Sequence, residues 1–424
     1  MTSFRHLLRA LHARNYRLFV AGQSISLIGT WMQQVAMSWL VYRLTGSAML
    51  LGLVGFASQI PTIFISPLAG VLADRWDRRR LLIATQTLAM LQAAVLAVVV
   101  MTGVVQIWQI VLLSFVLGVV NAVDIPVRQS FVVQMVELRE DLGNAIALNS
   151  SMVNGARLIG PSIAGMLVAA VGEGVCFLLN AISYLAVIVA LAAMRIPPVS
   201  PRQGPKRRIH HELIEGFGYA FRFRPIRSIL LLIALISLLG MPYAVLVPVF
   251  ARDILHGGAH TFGFLMAAAG SGALIGTLYL ASRTSARGLC RVIVMAAAIF
   301  SLGIMLFALS TRFVFSFLAL VLAGFGAMTM VASCNTMLQT ILDEDKRGRV
   351  MSLFTISFIG IAPFGSLGAG FMAHTIGPSA TVFAGGAGCL CGAILFALEL
   401  PQIQAAVAPL YAGMDGLPES EGHS

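Results

Sequence analysis

Runs of apolar residues that are long enough to cross a lipid bilayer recur along the whole chain. A helix needs about 20 such residues to span the hydrocarbon core. The segments 81–101 and 228–249 are nearly continuously apolar, whereas strands of a membrane β-barrel alternate between polar and apolar residues. Because only helices satisfy their backbone hydrogen bonds inside a single run, the sequence predicts an all-α membrane protein.

Twelve such segments can be placed along the sequence. Only 11% of the residues are charged, against about a quarter in soluble domains, so a soluble fold is excluded. Hydrophobic periodicity and length predict transmembrane helices at 18–42, 48–73, 81–101, 107–130, 144–169, 174–194, 228–250, 261–282, 292–310, 313–336, 350–373 and 379–400.

The basic residues lie almost entirely on one side of these predicted helices. The formal net charge of +11 would suggest a nucleic-acid partner in a soluble protein. In the loops of the other side, however, the basic residues are only Arg43, Arg252 and Arg312. The positive-inside rule therefore predicts a multi-pass protein of the bacterial inner membrane with both termini cytoplasmic and no nucleic-acid partner.

One long polar stretch, 195–227, divides six predicted helices from six. It is basic, opens with four prolines and ends in an amphipathic segment at 210–221. We interpret it as a cytoplasmic linker lying on lipid headgroups; a regulatory binding segment is the alternative. The predicted units are an N-terminal half at 1–194, the linker at 195–227, a C-terminal half at 228–400 and a cytoplasmic tail without regular structure at 401–424.

The two halves share a glycine pattern. At one constant offset, Gly160 aligns with Gly365, Gly165 with Gly370 and Gly172 with Gly377. An internal duplication explains these matches and predicts two pseudo-symmetric six-helix halves. In such an arrangement a pathway follows the interface, and rocking of one half against the other opens it to each side in turn.

The segment 70–80 reads GVLADRWDRRR and joins the second and third predicted helices. Gly70, Asp74 and Arg78 recur at steps of four and therefore share one helix face. The segment resembles the G-x-L-x-D-R-x-G-R-R motif of the major facilitator superfamily, with Asp77 in place of the second glycine, so the turn there is expected to differ. This resemblance covers essentially the whole chain and implies the alternating-access fold of that superfamily.

The resemblance also implies a cytoplasmic gate. In this gate, two contacts hold the halves together on the cytoplasmic side. Asp74 faces the N-terminal end of the eleventh helix, near Gly348, and Arg78 pairs with Asp124. The alternative is that the basic cluster only fixes the orientation of the chain. The predicted gate residues are Gly70, Asp74, Arg75, Arg78, Asp124 and Arg128.

The fifth predicted helix carries a second motif. Gly155, Gly160, Pro161 and Gly165 resemble the G-P-x-x-G-G antiporter motif of exporting branches of the superfamily, with Ala164 in place of one glycine. A proline permits a bend, and small residues let another helix approach closely. The motif indicates export; ordinary helix packing is the alternative.

Polar residues inside the apolar helices are candidates for a substrate cavity. Gln23, Thr30 and Gln34 form one stripe on the first helix, which either lines water or bonds to a neighbouring helix. Arg157 lies too deep in its helix to reach the surface, so we expect it to face the cavity, in anion binding or coupling, or a buried partner. The predicted cavity residues are Gln23, Thr30, Gln34, Gln59, Asn121, Asn154, Arg157 and Tyr243.

The finer resemblance is to the drug and siderophore efflux branch, and the segments 15–19, 124–129 and 347–352 carry it. It implies a secondary transporter that exports a small amphipathic molecule, works as a monomer without a cofactor and is driven by proton antiport. Ser114 stands where many proton-coupled drug exporters carry an arginine. The alternatives are an importer, a lysophospholipid translocator or a non-transporting sensor. No metal-ligand or catalytic motif indicates an enzyme.

Overall fold

The computed structural model of the protein describes residues 9–135, 141–195, 218–283, 288–342 and 344–415. Within these ranges, the side chains at 67, 70–75, 133, 142, 344–345 and 408–415 fall outside the description. The described residues are almost all helical and include no strand, so the predicted all-α class is confirmed.

In the described part of the chain, twelve long helices follow the predicted order. The first half contains α1 (Arg14–Thr45), α2 (Ala48–Arg75), α3 (Arg78–Met101), α4 (Ile107–Met135), α5 (Leu142–Val171) and α6 (Glu173–Ala193). The second half contains α7 (Arg224–Ile254), α8 (Ala259–Ala281), α9 (Leu289–Leu309), α10 (Phe313–Ile341), α11 (Glu344–Thr355 continued by Ala362–Ile376) and α12 (Pro378–Asp415).

Eleven of the described helices are long and apolar enough to cross a membrane. The remaining long helix, α1, has 32 residues and carries the polar stripe that the sequence predicts, which lowers its mean hydropathy. It packs within the same bundle, against α5 and α6. A bundle of twelve helices is therefore consistent with the structure.

The structure differs from the prediction at the C-terminal end, where 401–424 is expected to lack regular structure. Helix α12 continues through Pro401 to Asp415. Ile403 and Val407, one turn apart, are fully buried. Their apolar contacts therefore extend the helix beyond residue 400, where the predicted helix ends. The linker residues 196–217, with most of the amphipathic segment, lie outside the described residues, and α7 begins at Arg224, inside the predicted linker.

Helix packing repeats from one half to the other. In the first half α1 packs on α5 and α6, α2 on α4, and α3 on α6; in the second, α7 packs on α11 and α12, α8 on α10, and α9 on α12. Each contact recurs six helices later, as expected for a duplicated unit. The chain therefore forms two related six-helix halves.

Two crossings between glycines join the halves. Where α2 meets α11, a β-carbon added to Gly370 would lie 2.9 Å from the Cα of Gly52. Where α5 meets α8, a β-carbon added to Gly165 would lie 2.9 Å from the Cα of Gly263. Small residues let the backbones approach this closely.

Both crossings lie toward the end of the bundle that carries the turn at Gly46, which we name the Gly46 face. The opposite end, where α2 ends at Arg75 and α3 begins at Arg78, is named the arginine-rich face. In the structure, the halves are therefore held together toward the Gly46 face.

We expect Gly370→Ala to destabilise this crossing. The new methyl group would also meet the carbonyl oxygen of Ala48 at 2.9 Å, and backbone atoms cannot move aside unless α2 and α11 separate. Overpacking of this kind costs about 1–3 kcal/mol. Gly368→Ala, on the same helix, is the matched control because no heavy atom lies within 4 Å of its added β-carbon. Equal melting temperatures of the two purified variants in detergent would contradict the expectation.

Candidate functional site

A cavity of about 430 Å³ lies between the two halves. Helices α1, α2 and α4 line it from the first half, and α7, α8 and α11 line it from the second. A volume of this size falls within the range of small-molecule sites. Of the predicted cavity residues, four line it: Thr30, Gln34, Gln59 and Asn121.

The wall from the first half, which we name the polar wall, carries most of the polar side chains of the cavity, beside apolar ones such as Leu51 and Leu117. Gln34 from α1, Gln59 from α2 and Asn121 from α4 present amides, and Ser38 and Ser114 present hydroxyls. The Gln59 amide nitrogen donates to the carbonyl of Gly55 at 3.3 Å, which leaves its oxygen able to accept another hydrogen bond. This wall can therefore both donate to and accept from a bound molecule.

The wall from the second half is apolar. Its apolar side chains include Met241, Val245, Phe262, Met266 and Ile359. Its two hydroxyl groups already have partners, which are backbone carbonyls: one donates to Phe358 at 2.5 Å and the other to Ala362 at 3.1 Å. These hydroxyls belong to Ser237 and Ser366.

A buried network fixes the helices behind the polar wall. The Gln33 amide nitrogen donates to the side-chain oxygen of Gln92 at 3.0 Å, and its oxygen accepts from Asn180 at 2.7 Å. Asn180 in turn accepts from the Ser183 hydroxyl at 3.0 Å, and Gln92 donates to the carbonyl of Leu113 at 3.2 Å. The network ties α1, α3, α4 and α6 together, so the polar wall is a rigid surface.

The other four predicted cavity residues do not line the cavity. The Arg157 guanidinium lies over the ring of Trp31, 5.5 Å from its centroid, and Asn154 donates to the carbonyl of Ser150 at 3.0 Å. Gln23 and Tyr243 are buried between helices. The arginine therefore has an aromatic partner, which provides part of the stabilisation that a cation at this depth requires.

In the predicted gate, Asp124 is buried and accepts two hydrogen bonds within the first half. Thr85 donates to it at 2.9 Å and Gln86 at 2.8 Å, while the Arg128 Nε lies 3.5 Å from its other oxygen. The expected pair of Arg78 with Asp124 is not formed; Arg78 donates instead to the carbonyl of Ser130 at 3.4 Å.

The physical reason for this difference is spacing. Arg128 lies one turn beyond Asp124 on α4 and reaches its carboxylate without crossing to another helix. Gly70, Asp74 and Arg75 lie on α2, but their side chains are outside the described residues, so the predicted contact of Asp74 with α11 stays a prediction.

The departure from the superfamily motif at Asp77 has a structural role. Asp77 is the N-cap of α3, and its carboxylate accepts from the backbone nitrogens of Arg79 and Arg80 at 2.9 and 3.2 Å. The Arg79 side chain reaches the end of α6, where it donates to the carbonyl of Ala192 at 2.6 Å. Both contacts satisfy groups that a helix end leaves unpaired.

The antiporter-like motif places α5 between two other helices. A β-carbon on Gly160 would lie 2.6 Å from the Cβ of Trp31 on α1, whereas Gly165 meets α8. Pro161 lies inside the helix between them, and Gly155 faces open space. The spacing of these glycines thus lets α5 contact its own half and the other half at once.

Sequence reasoning missed a cluster that closes the Gly46 face. Tyr42, at the end of α1, donates its hydroxyl to Asp253 of α7, and the Arg252 guanidinium lies 5.7 Å from the centre of the Tyr42 ring. Trp39 stacks on Phe262 of α8 with their ring centroids 6.2 Å apart. The charged pair 252–253, at the end of an apolar helix, is the signal that could have located this cluster.

We expect Tyr42→Phe to loosen the closure at the Gly46 face, because it removes the hydroxyl that bonds Asp253 and leaves the ring in place. A hydrogen bond to a charged group contributes about 1.5–3 kcal/mol. With a cysteine introduced by Ser38→Cys, thiol labelling at this cavity position should become faster in the Tyr42→Phe variant. Tyr184→Phe, which removes a hydroxyl inside the first half, is the control. Equal labelling rates in the two variants would show that the bond does not hold the face closed.

Comparison with known proteins agrees with this architecture. A family model described as transmembrane secretion effector matches residues 8–416. The staphyloferrin A transporter of Staphylococcus aureus is 26% identical over 90% of this chain and 95% of its own length. Macrolide efflux protein A of Streptococcus pyogenes is 25% identical over 68% of this chain and 70% of its own length.

Among solved structures, a bacterial homolog of the human lysosomal transporter Spinster, in an inward-facing and unoccupied conformation, matches 97% of this chain and 98% of its own. The TM-score is 0.66 at 15% identity, which shows a common fold. The family and these relatives are transporters rather than enzymes. The chain therefore belongs to the transmembrane secretion effector family of the major facilitator superfamily, in its efflux branch.

Proposed function

We propose that the protein exports a small amphipathic molecule across the bacterial inner membrane by alternating access, coupled to inward movement of protons. The observation that carries this proposal is the cavity between the halves, with a hydrogen-bonding wall on one side and an apolar wall on the other. A molecule with both kinds of surface fits such a site. Relatives named for macrolide efflux and multidrug efflux support export.

The proposed orientation places the Gly46 face outside and the arginine-rich face in the cytoplasm, as the charge distribution favours. The structure then corresponds to a state closed toward the outside. In the described part of the chain, the first segment of α11, Glu344–Thr355, packs on α7 and α10 of its own half. Attraction of Asp74 to this helix end would belong to the alternate state, in which the cytoplasmic face closes.

Asp124 is the group that we assign to proton coupling. Its carboxylate is buried and ion-paired with Arg128, and a carboxylate of this kind inside a membrane helix is a candidate proton carrier. The oxygen of Gln86 is buried without a partner beside it. Rotation of the Gln86 amide would let that oxygen accept a hydrogen bond from a protonated Asp124, so both charge states can be satisfied.

Transport direction distinguishes the proposal from its alternatives. An importer, including a lysophospholipid translocator, would use the same cavity but move its substrate inward, and a sensor would bind without flux. In proteoliposomes of known orientation, the proposal predicts that an acid outer side drives substrate toward that side. Substrate movement away from the acid side would indicate an importer, and binding without movement would indicate a sensor. Transport by proteoliposomes that contain no more than one chain each would support a single chain as the functional unit.

We expect Asp124→Asn to abolish uphill, proton-driven export while substrate exchange without a gradient continues. The amide keeps the shape of the carboxylate and one oxygen that can accept from Thr85 and Gln86, but it cannot carry a proton. Glu399→Gln is the matched control, because it neutralises a carboxylate that the Ser228 hydroxyl contacts in α12. If Asp124 is only structural, exchange should fall together with export and with the melting temperature.

A further inference from the structure

Among the described residues that line the cavity, none is acidic, basic or a histidine. A charged molecule that enters such a site loses water and gains no counter-charge. Transfer of an unpaired ion out of water costs far more than transfer of a neutral polar group. The wall composition therefore disfavours ionised substrates of either sign.

Three charged residues of the helices around the cavity have contacts elsewhere in the protein. Arg157 lies over Trp31, and Asp124 is held by Thr85, Gln86 and Arg128. Asp253 accepts from Tyr42 at the closed Gly46 face. None of these three charged residues lines the cavity, so none supplies a counter-ion to a ligand held there.

Two amides in the polar wall have no hydrogen-bond partner in the part of the chain that the structure describes. They belong to Gln34 of α1 and Asn121 of α4, which both line the cavity. Each amide offers one oxygen and two N–H groups. The neighbouring Gln33, by contrast, has both ends of its amide bonded inside the first half. Gln34 and Asn121 are thus available to a ligand, whereas Gln33 is not.

The facing wall adds a requirement of shape. Met241 and Met266 are flexible and polarisable, so this wall adapts to apolar surfaces of different outline. Its hydroxyls donate to backbone carbonyls and do not compete for a ligand. Recognition by hydrogen bonds is therefore confined to one side of the cavity.

From these observations we infer that the site binds uncharged molecules that have hydrogen-bonding groups along one edge and an apolar opposite face. In this inference, Gln34 and Asn121 form hydrogen bonds with the polar edge. This inference rests on the proposed function in that it names the substrate class of the same cavity. Selectivity against ions comes from missing counter-charges, and selectivity among neutral molecules comes from the two amides.

The test measures binding of four steroid probes to the purified full-length protein in nanodiscs. Hydrocortisone is neutral and hydroxylated, progesterone has the same ring system without the hydroxyl groups, and hydrocortisone 21-hemisuccinate and 21-amino-hydrocortisone carry opposite charges. We expect hydrocortisone to bind at least about tenfold more tightly than each of the other three, which corresponds to one or two hydrogen bonds or an uncompensated charge.

Two variants test the residues. Gln34→Leu should weaken hydrocortisone about tenfold and leave progesterone unchanged, because only the hydroxylated probe uses the amide. Gln34→Glu should raise the affinity for the amino derivative about tenfold and lower that for the hemisuccinate, since it supplies the missing counter-charge. Gln402→Glu, at an exposed position of α12 that does not line the cavity, controls for a general effect of charge. Melting temperatures identify variants that fail to fold.

The inference is overturned if a charged probe binds the unmodified protein as tightly as hydrocortisone, if none of the four binds, or if Gln34→Glu leaves the charge preference unchanged. The outcomes also separate the inference from export. The expected binding pattern without flux in proteoliposomes would contradict export alone, whereas outward transport of a charged probe with equal efficiency would contradict the substrate class alone.

Discussion

The absence of water from the bilayer core controls this structure more than any single contact. Every polar group inside the membrane must find a partner within the protein or line an aqueous cavity. Gln33, Gln92 and Asn180 satisfy this demand through one another, and Asp124 does so through its own helix and its neighbour. Gln34 and Asn121 are different, because they line the cavity and have no hydrogen-bond partner among the residues that the structure describes. Their amides are the groups through which the protein can hydrogen-bond a molecule in the cavity.

Close packing of small residues determines where that cavity lies. At the crossings of Gly52 with Gly370 and of Gly165 with Gly263, the helices of the two halves approach to backbone contact. The space between the remaining helices is then wide enough for the cavity at the centre of the bundle. Because these contacts are made of van der Waals packing without ion pairs, they can separate at modest cost, as alternating access requires.

The fold was largely predictable from the sequence because its signals are strong and local. Apolar runs of spanning length locate the helices, and the aligned glycines reveal the duplication. Half of the predicted cavity residues line the cavity, since helical spacing places Thr30 and Gln34 on one face. Arg157 and Tyr243 show the limit of that reasoning: the cost of burying a polar group predicts that it has a partner but does not say whether the partner is a cavity, a ring or another helix.

Long-range contacts were not predictable for a related reason. The pair of Tyr42 with Asp253 joins residues from different halves, and spacing along a helix carries no information about such a contact. The end of α12 was missed because a proline usually ends a helix, whereas here Ile403 and Val407 pack against the bundle and continue it. Tertiary burial outweighs the local signal at that position.

The duplicated halves have diverged where they meet the cavity, and the divergence fits their two roles. In the second half, α7 and α11 contain π-helical turns at Ile236–Gly240 and Ile356–Gly360, while the equivalent α1 and α5 are continuous. The Ser237 hydroxyl of the first turn donates to the Phe358 carbonyl of the second. A π-turn disrupts the regular hydrogen-bond ladder and is common at functional sites. The polar wall is thus rigid and holds hydrogen-bond geometry constant, whereas the apolar wall contains two linked irregular turns. Apolar contacts tolerate changes of shape that hydrogen bonds do not. The wall that can change shape to fit different molecules is therefore the apolar one.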